Sequence, residues 1–185
     1  MALNRSSQWL CLCAVFALCF TLRIGVGGVI DATVPVVKRA DVYSDIAVNL
    51  ARGHGFVAEA GGEPIIWRAP LYPAFLAAVY ALFGEQNETG VFLTQSALDA
   101  VTAVLIFYLG TRLFGETVGL LSAVSFAVHP LSAYYSLRFL SEPLFTLAFT
   151  AVIAAWIAAV TTRRLMAYLA VGALIAVAAL VKPVA

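Results

Sequence analysis

Long apolar segments, separated by short polar stretches, make up most of this 185-residue chain. A helix needs about 20 mostly apolar residues to cross the hydrocarbon core of a bilayer. The segments that approach this length are 9–30, 91–111, 116–133, 143–161 and 165–181. A sixth apolar piece, residues 71–84, is too short to cross at about 1.5 Å per residue. The pattern predicts an all-α integral membrane protein with about five spans and a short interfacial or re-entrant helix.

Residues 31–90, between the first two predicted spans, form the one long polar stretch of the sequence. Within it, residues 41–52 have the periodicity of an amphipathic helix, with a broad apolar arc beside a narrow polar stripe. The stripe consists of Asp41, Asp45, Asn49 and Arg52, and the arc of Val42, Tyr43, Ile46, Ala47 and Leu50. Such a helix can lie on the membrane with its apolar arc towards lipid and its carboxylates facing a cleft. The alternative is that these carboxylates only cap the helix or are solvated.

Composition supports the membrane assignment: 63% of the residues are hydrophobic and 11% are charged, far from the balance of soluble domains. The net charge of +1 gives no indication of nucleic-acid binding. Cys11, Cys13 and Cys19 all fall in the first apolar segment and are interpreted as small hydrophobic residues. Because that segment contains Arg23 and is followed by no clear cleavage site, we interpret it as a retained signal anchor rather than a removed signal peptide.

The arginines that flank the predicted spans indicate their direction, because positive charge is enriched on the cytoplasmic side. They are Arg5, Arg112, Arg163 and Arg164. If the first span runs outward, all of them are cytoplasmic. Residues 31–90 and the turn at 134–142 then face the periplasm or exterior.

Several polar residues lie in or near the spans, where an unpaired charge costs a few kcal/mol. Arg68 follows Trp67 at the membrane surface, where a guanidinium can hold a phosphate by paired hydrogen bonds or simply snorkel to headgroups. Arg23 in the first span and Glu142 at the start of the fourth are candidates for either a site or a structural role. Gln95 and Asp99, four residues apart on the second span, are expected to bond between helices.

The order of several motifs resembles a known family. The loop reads D-x-Y-x-x-x-A-x-N-L-A-x-G-x-G-F and then R-x-P-L-Y-P-x-F-L-A-x-x-Y-x-L-F-G; F-Y-L-G-T-R-L-F-G, H-P-L-S-A-Y-Y and L-S-E-P-L-F follow. This order, over residues 9–183, resembles the N-terminal half of the dolichyl-phosphate-mannose protein mannosyltransferase-like glycosyltransferases of the membrane-embedded class C fold. Bacterial aminoarabinose transferases belong to the same superfamily. The whole of residues 1–185 is then the N-terminal portion of one polytopic domain.

The resemblance implies an inverting glycosyltransferase of the inner or plasma membrane. Its donor would be a polyprenyl-phosphate sugar and its acceptor a lipid, glycan or protein on the outer face. In such enzymes a first-loop aspartate acts as general base on the acceptor hydroxyl. Asp41 best matches that position, although the short spacing to the following tyrosine leaves Asp45 and Asp31 open.

The resemblance also implies how the donor phosphate is held. Glu142 matches the acidic residue of the family's S-E motif and is expected near the phosphate, directly or through a divalent metal ion. Arg68 and Arg23 are the candidates for direct phosphate contact. Membrane lipids are the remaining expected partners.

Lys182-Pro183 follows the last predicted span directly, two residues before the end of the sequence, and such a pair normally leads into another loop. We therefore expect further spans downstream and expect this chain alone to be inactive. The competing interpretations are a fragment of a lipid or solute transporter, or a non-catalytic scaffold subunit. A transporter would favour an ionisable residue in mid-span and an internal repeat; Asp99 approaches the first, and no repeat is visible.

Overall fold

The computed structural model describes residues 5–33 and 42–183, and the side chains of all of these except residues 5–8. The described chain is folded into α-helices, and the long connection at residues 52–70 contains an isolated antiparallel β-bridge between Val57 and Pro64. The helices are α1 (Arg5–Thr33), α2 (Tyr43–Ala51), α3 (Leu71–Phe83), α4 (Glu88–Phe114), α5 (Glu116–Val128), α6 (Pro130–Leu137), α7 (Glu142–Thr162) and α8 (Leu165–Val181). The predicted all-α class is confirmed.

Within the described residues, α1 (from Trp9), α4 and α7 are each long and apolar enough to cross a membrane. A fourth crossing results if α5 and α6, which meet at an angle of 50°, form one broken span. The predicted spans 9–30, 91–111 and 143–161 correspond to α1, α4 and α7. The predicted span 116–133 contains the break, and 165–181 corresponds to the 17-residue apolar helix α8.

The two short helices of the first loop pack on each other and on the bundle. α3 coincides with the short apolar helix predicted at 71–84, and it contacts α2, α4 and α8. Tyr43 and Ala47 of α2 join Tyr72 and Leu76 of α3 in a buried cluster that also includes Phe139, before α7. The apolar arc of α2 was predicted to face lipid, but these residues of it are buried against protein instead.

A second buried cluster joins α1, α4 and α5 and contains mostly small side chains, among them Cys19, Ala100 and Ala123. The α4 and α5 backbones approach closely at Gly110 and Gly119, since a Cβ atom on Gly119 would lie 2.7 Å from the Phe107 carbonyl oxygen. Close approach at small residues is how helices gain packing energy inside a membrane. Cys19 is a buried packing residue, as expected.

The break between α5 and α6 follows from Pro130, which begins α6. Proline has no N–H group, so the Phe126 carbonyl loses its i+4 hydrogen bond and keeps a bond of 3.2 Å from the His129 N–H. Arg23 of α1 supplies further donors at the break. Its Nη2 donates to the Phe126 carbonyl at 2.9 Å, and its Nη1 donates to the carbonyls of Ala127 at 2.9 Å and His129 at 3.1 Å. A broken helix is tolerated in a membrane when a neighbouring helix satisfies the freed carbonyls in this way.

The charge of Arg23 is balanced by Asp99 of α4. Arg23 Nε lies 2.8 Å from Asp99 Oδ2, and the two residues are 0% and 2% exposed. Ser136 of α6 donates to the same carboxylate oxygen at 2.6 Å. One buried ion pair thus connects α1, α4, α5 and α6, and Asp99 serves in bonding between helices, as its sequence position suggested.

Replacing Asp99 with alanine should destabilise the protein strongly, because Arg23 would remain buried without its counter-charge. Removing one partner of a buried ion pair typically costs about 3–5 kcal/mol. The measurement is the free energy of unfolding by denaturant titration in mixed micelles, followed by circular dichroism. Asp45→Ala, the same change at an exposed position of α2, is the control and should stay within about 0.5 kcal/mol. Equal effects of the two changes would contradict the structural role of the pair.

Candidate functional site

Several of the polar groups nominated by the sequence lie at one end of the bundle. Gln95, in the first half of α4, donates through Nε2 to the Arg138 carbonyl at 2.8 Å, which ties α4 to the connection before α7. Glu142, at the start of α7, pairs with Lys182, directly after α8. The opposite end, where α4 and α7 finish, carries Arg112 in the last turn of α4 and the Arg163-Arg164 turn between α7 and α8. We call the end that carries Gln95 and Glu142 the site end. It is separated from the arginine-rich end by the length of the spans.

Arg68 is held between two aromatic rings. Its Cζ lies 4.9 Å from the ring centroid of Tyr43 and 4.7 Å from that of Trp67, and its Nη1 lies 3.5 Å from the Tyr43 hydroxyl. Cation–π contacts of this kind attract a guanidinium towards the ring faces. Tyr43 is the first residue of α2, so the half-buried guanidinium sits where the chain enters that helix.

A series of side-chain contacts connects this position to the spans. The Tyr43 and Tyr72 rings meet edge to face with centroids 5.0 Å apart. The buried Tyr72 hydroxyl donates to Gln95 Oε1 at 2.8 Å, and Gln95 Nε2 donates to the carbonyls of Ser136 and Arg138 at 2.8 Å each. Gln95 therefore joins the loop helices to the broken span, and it bonds between helices as expected. Through Tyr43, Tyr72 and Gln95, the Arg68 guanidinium is thus connected to side chains inside the helix bundle.

The predicted polar stripe of α2 is divided in the structure. Asp45 is exposed, whereas Asn49 is 7% exposed and faces the following loop. Asn49 Nδ2 donates to the carbonyls of Val57 and Ala58 at 3.2 and 2.8 Å, and Asn49 Oδ1 lies 3.2 Å from a ring nitrogen of His54. Asn49 thus holds the loop that follows α2, whereas Asp45 and Arg52 of the stripe are exposed to solvent.

The three candidate bases are not distinguished by the structure. Asp41 lies outside the described residues, two positions before Tyr43 in the sequence. Asp31 is exposed near the end of α1, and Asp45 is exposed on α2. The assignment of the general base stays a prediction.

Glu142 is the acidic group at the start of α7. Its Oε1 lies 3.0 Å from Lys182 Nζ, and its Oε2 is buried without a hydrogen-bond partner among the described residues. It borders a cleft of about 20 Å³ that also touches Asp99 and Tyr135, enough for about one water molecule.

No three histidine, cysteine or acidic side chains converge as a metal site within residues 5–33 and 42–183. The carboxylates at the cleft are also each paired with a cation already: Glu142 with Lys182 and Asp99 with Arg23. The described donor set therefore does not by itself fit a divalent ion, and no chemical step is assigned to one.

Two further cations lie at this end of the bundle and were missed as site candidates. Lys182 pairs with Glu142, and Arg138 donates from Nη1 to the Tyr134 hydroxyl at 3.2 Å, with its Cζ 5.6 Å from that ring's centroid. Arg138 Nε is buried and has no partner in the part of the chain that the structure describes. Arg138 precedes the predicted span 143–161, and Lys182 follows the predicted span 165–181. These positions could have indicated both residues as site candidates, because cations there can face the site end of the bundle.

Arg23 occupies a different position from Arg68. Its guanidinium is fully buried, and Nε, Nη1 and Nη2 all donate to Asp99 or to backbone carbonyls of the broken span. This geometry gives Arg23 a role in packing, so we leave it out of the phosphate-binding set proposed below.

The sequence model of the family described as dolichyl-phosphate-mannose-protein mannosyltransferase matches residues 67–185. The match begins at Trp67, directly before Arg68, and includes α3 to α8 with Glu142. It leaves out α1 and α2, and with them Arg23 and the candidate bases of the first loop. No curated protein and no solved structure matches the chain.

Replacing Tyr72 with phenylalanine should destabilise the loop helices, because Gln95 Oε1 would lose its buried donor while the ring packing remains. An unsatisfied buried acceptor costs about 1–3 kcal/mol. Tyr168→Phe removes a hydroxyl from a half-exposed ring on α8 and should cost less than about 0.5 kcal/mol. The same micellar unfolding titration compares the two variants. A cost for Tyr72→Phe no larger than that of the control would show that the Tyr72–Gln95 bond contributes nothing.

Proposed function

The chain belongs to the dolichyl-phosphate-mannose-protein mannosyltransferase family, whose model matches more than half of its residues, and is a membrane glycosyltransferase of the mannosyltransferase type. From this premise we propose that it transfers a sugar from a polyprenyl-phosphate donor to an acceptor hydroxyl on the outer face of the membrane. The observation that carries the proposal is the placement of Arg68. It is an arginine at the start of the matched region, fixed by aromatic rings beside membrane-spanning helices.

Arg68 suits the phosphate of a lipid-linked donor for electrostatic and geometric reasons. A guanidinium presents N–H groups in a planar fork that matches phosphate oxygens. The rings of Tyr43 and Trp67 restrain the side chain before the donor arrives, which lowers the entropy lost on binding. Because the donor is membrane-bound, it can reach a residue at this depth by lateral diffusion. Arg138, at the same end of the bundle, adds positive potential there, whereas the charge of Lys182 is balanced by Glu142.

The chemistry that we propose is a single inverting displacement. A first-loop carboxylate, Asp41 or alternatively Asp45 or Asp31, takes the proton from the acceptor hydroxyl. The acceptor oxygen forms a bond to the anomeric carbon as the bond from that carbon to the phosphate oxygen breaks. The electron pair leaves with the polyprenyl phosphate, and Arg68 stabilises the charge that develops on it. Glu142 stays a proposed neighbour of the donor phosphate, with Lys182 offsetting its negative charge.

Arg68→Ala should weaken the binding of polyprenyl phosphate to the 185-residue chain in lipid nanodiscs. Hydrogen bonds to charged groups contribute about 1.5–3 kcal/mol, which corresponds to roughly a tenfold to hundredfold rise in Kd. The measurement is isothermal titration with a short-chain polyprenyl phosphate. Arg52→Ala is a matched control, because Arg52 is an exposed arginine of the same loop that pairs with Glu85 at 2.7 Å. Equal weakening by both variants, or none by Arg68→Ala, would remove the basis of the proposal.

Asp41→Asn should lower the rate of sugar transfer while leaving donor binding unchanged, because the amide cannot accept the acceptor's proton. General-base catalysis contributes about 10²–10⁴-fold. The measurement is transfer of radiolabelled mannose from polyprenyl phosphate to acceptor in proteoliposomes of an intact homologous transferase that carries the equivalent changes, because this chain alone is expected to be inactive. Glu63→Gln, at an exposed carboxylate of the same loop, should transfer at the wild-type rate.

Asp45→Asn and Asp31→Asn in the same assay decide between the three carboxylates. A wild-type rate for Asp41→Asn would refute its assignment as base. Flux of the lipid-linked sugar across the bilayer without any transfer would favour a transporter over the proposed enzyme.

A further inference from the structure

The segment between the β-bridge and α3 presents two large apolar side chains outward. Ile66 is 92% exposed and Trp67 is 64% exposed. We call these two residues the outer-loop anchor. Neighbouring exposed apolar side chains can mark a protein or membrane interaction site, so we ask what contacts these two.

The backbone on both sides of the outer-loop anchor is held in place. Val57, which is buried, forms the antiparallel bridge with Pro64, and the Ile65 N–H donates to the Phe56 carbonyl at 2.9 Å. On the other side, α3 begins at Leu71. The exposure of Ile66 and Trp67 is therefore a property of an ordered surface rather than of a loose chain.

The helix that follows the outer-loop anchor is apolar and packs on a candidate membrane span. α3 is an apolar helix that contacts α4, which is long enough to span the membrane, and α8. Its far end exposes Leu82 and Phe83, so its own surface is also apolar where protein does not cover it. Three residues separate the outer-loop anchor from this apolar helix, which packs on a candidate membrane span.

Along residues 59–68, the side chains change from acidic to apolar and then to basic. Glu59 and Glu63 are exposed carboxylates. Both precede the bridge residue Pro64, and Glu63 is its neighbour in the sequence. The anchor follows, and Arg68 comes next with its guanidinium stacked on the Trp67 ring. Tryptophan is enriched at the level of lipid headgroups, where an apolar ring and a polar N–H are both satisfied. An adjacent arginine at that depth can bind lipid phosphates with its head while its stem stays in apolar surroundings.

We propose that Ile66 and Trp67 insert into the headgroup region of the leaflet at this end of the bundle. They anchor the first loop to the lipid surface and hold Arg68 at the level of the lipid phosphates. The partner is the bilayer itself, and the inference does not depend on sugar transfer.

The test uses the full chain with Trp67 as its single tryptophan, obtained by Trp9→Phe and Trp156→Phe. The protein is reconstituted in vesicles of phosphatidylcholine with brominated acyl chains. Trp67 emission should be shifted to the blue of that of the unfolded chain. Bromines attached near the headgroup end of the acyl chain should quench it more than bromines near the chain terminus. Ile66→Ser should reduce this quenching, because the loop would lose part of its apolar contact with lipid.

A matched control retains Trp156 instead, which is half-exposed within the span α7. Its quenching should favour deeper bromines and should not change with Ile66→Ser. Two results would overturn the proposal. Quenching of Trp67 by aqueous iodide but not by bromolipid would place the anchor in water, and protection from both quenchers would mean that protein covers it. Because no donor or acceptor is present, these outcomes are independent of the transferase assays.

Discussion

A buried charge inside an apolar helix bundle needs a counter-charge and hydrogen-bond acceptors, and the fold depends on how this chain supplies both to Arg23. Asp99 supplies the counter-charge, and the break at Pro130 supplies the carbonyls that the remaining N–H groups need. The same carboxylate binds Ser136 on α6. If residue 130 were not proline and the α5–α6 helix ran straight, the carbonyls of Phe126 and Ala127 would each receive a backbone N–H from four residues on, and the guanidinium would compete for them inside hydrocarbon.

The geometry of the candidate site depends on these contacts of Arg23 and Asp99. Asp99 and Gln95 lie one helical turn apart on α4, so the pair that holds α1 is adjacent to the residue that holds the loop helices. Through Gln95 and Tyr72, the position of the first loop is tied to the same broken span. The rings around Arg68 are therefore not a separate local feature. They are the outermost part of a polar network that begins in the middle of the bundle.

Apolar run length and periodicity were sufficient to predict most helices, including the short helix α3, because these are local properties of the sequence. The contacts of Arg23 were not predictable in the same way, since its partner Asp99 is 76 residues away. Pro130 could have indicated the break inside the predicted span 116–133. For α2, the periodicity correctly separated an apolar face from a polar one. It could not specify that the apolar face would meet α3 rather than lipid, nor that Asn49 would turn to the following loop. Arg68 was nominated from its motif, but the ring of Tyr43 that holds it lies 25 residues earlier in the sequence.

The long sequence separation of the Arg23 contacts has a consequence for how the protein is made. When α1 first enters the bilayer during synthesis, neither Asp99 nor the carbonyls 103 to 106 residues downstream have yet been translated. The nascent first helix must then keep its cation in the aqueous insertion channel or near the headgroups until the α4–α6 segment emerges. Stable packing of the first helix is thus a late step of biogenesis. It is complete only after the broken span has entered the membrane.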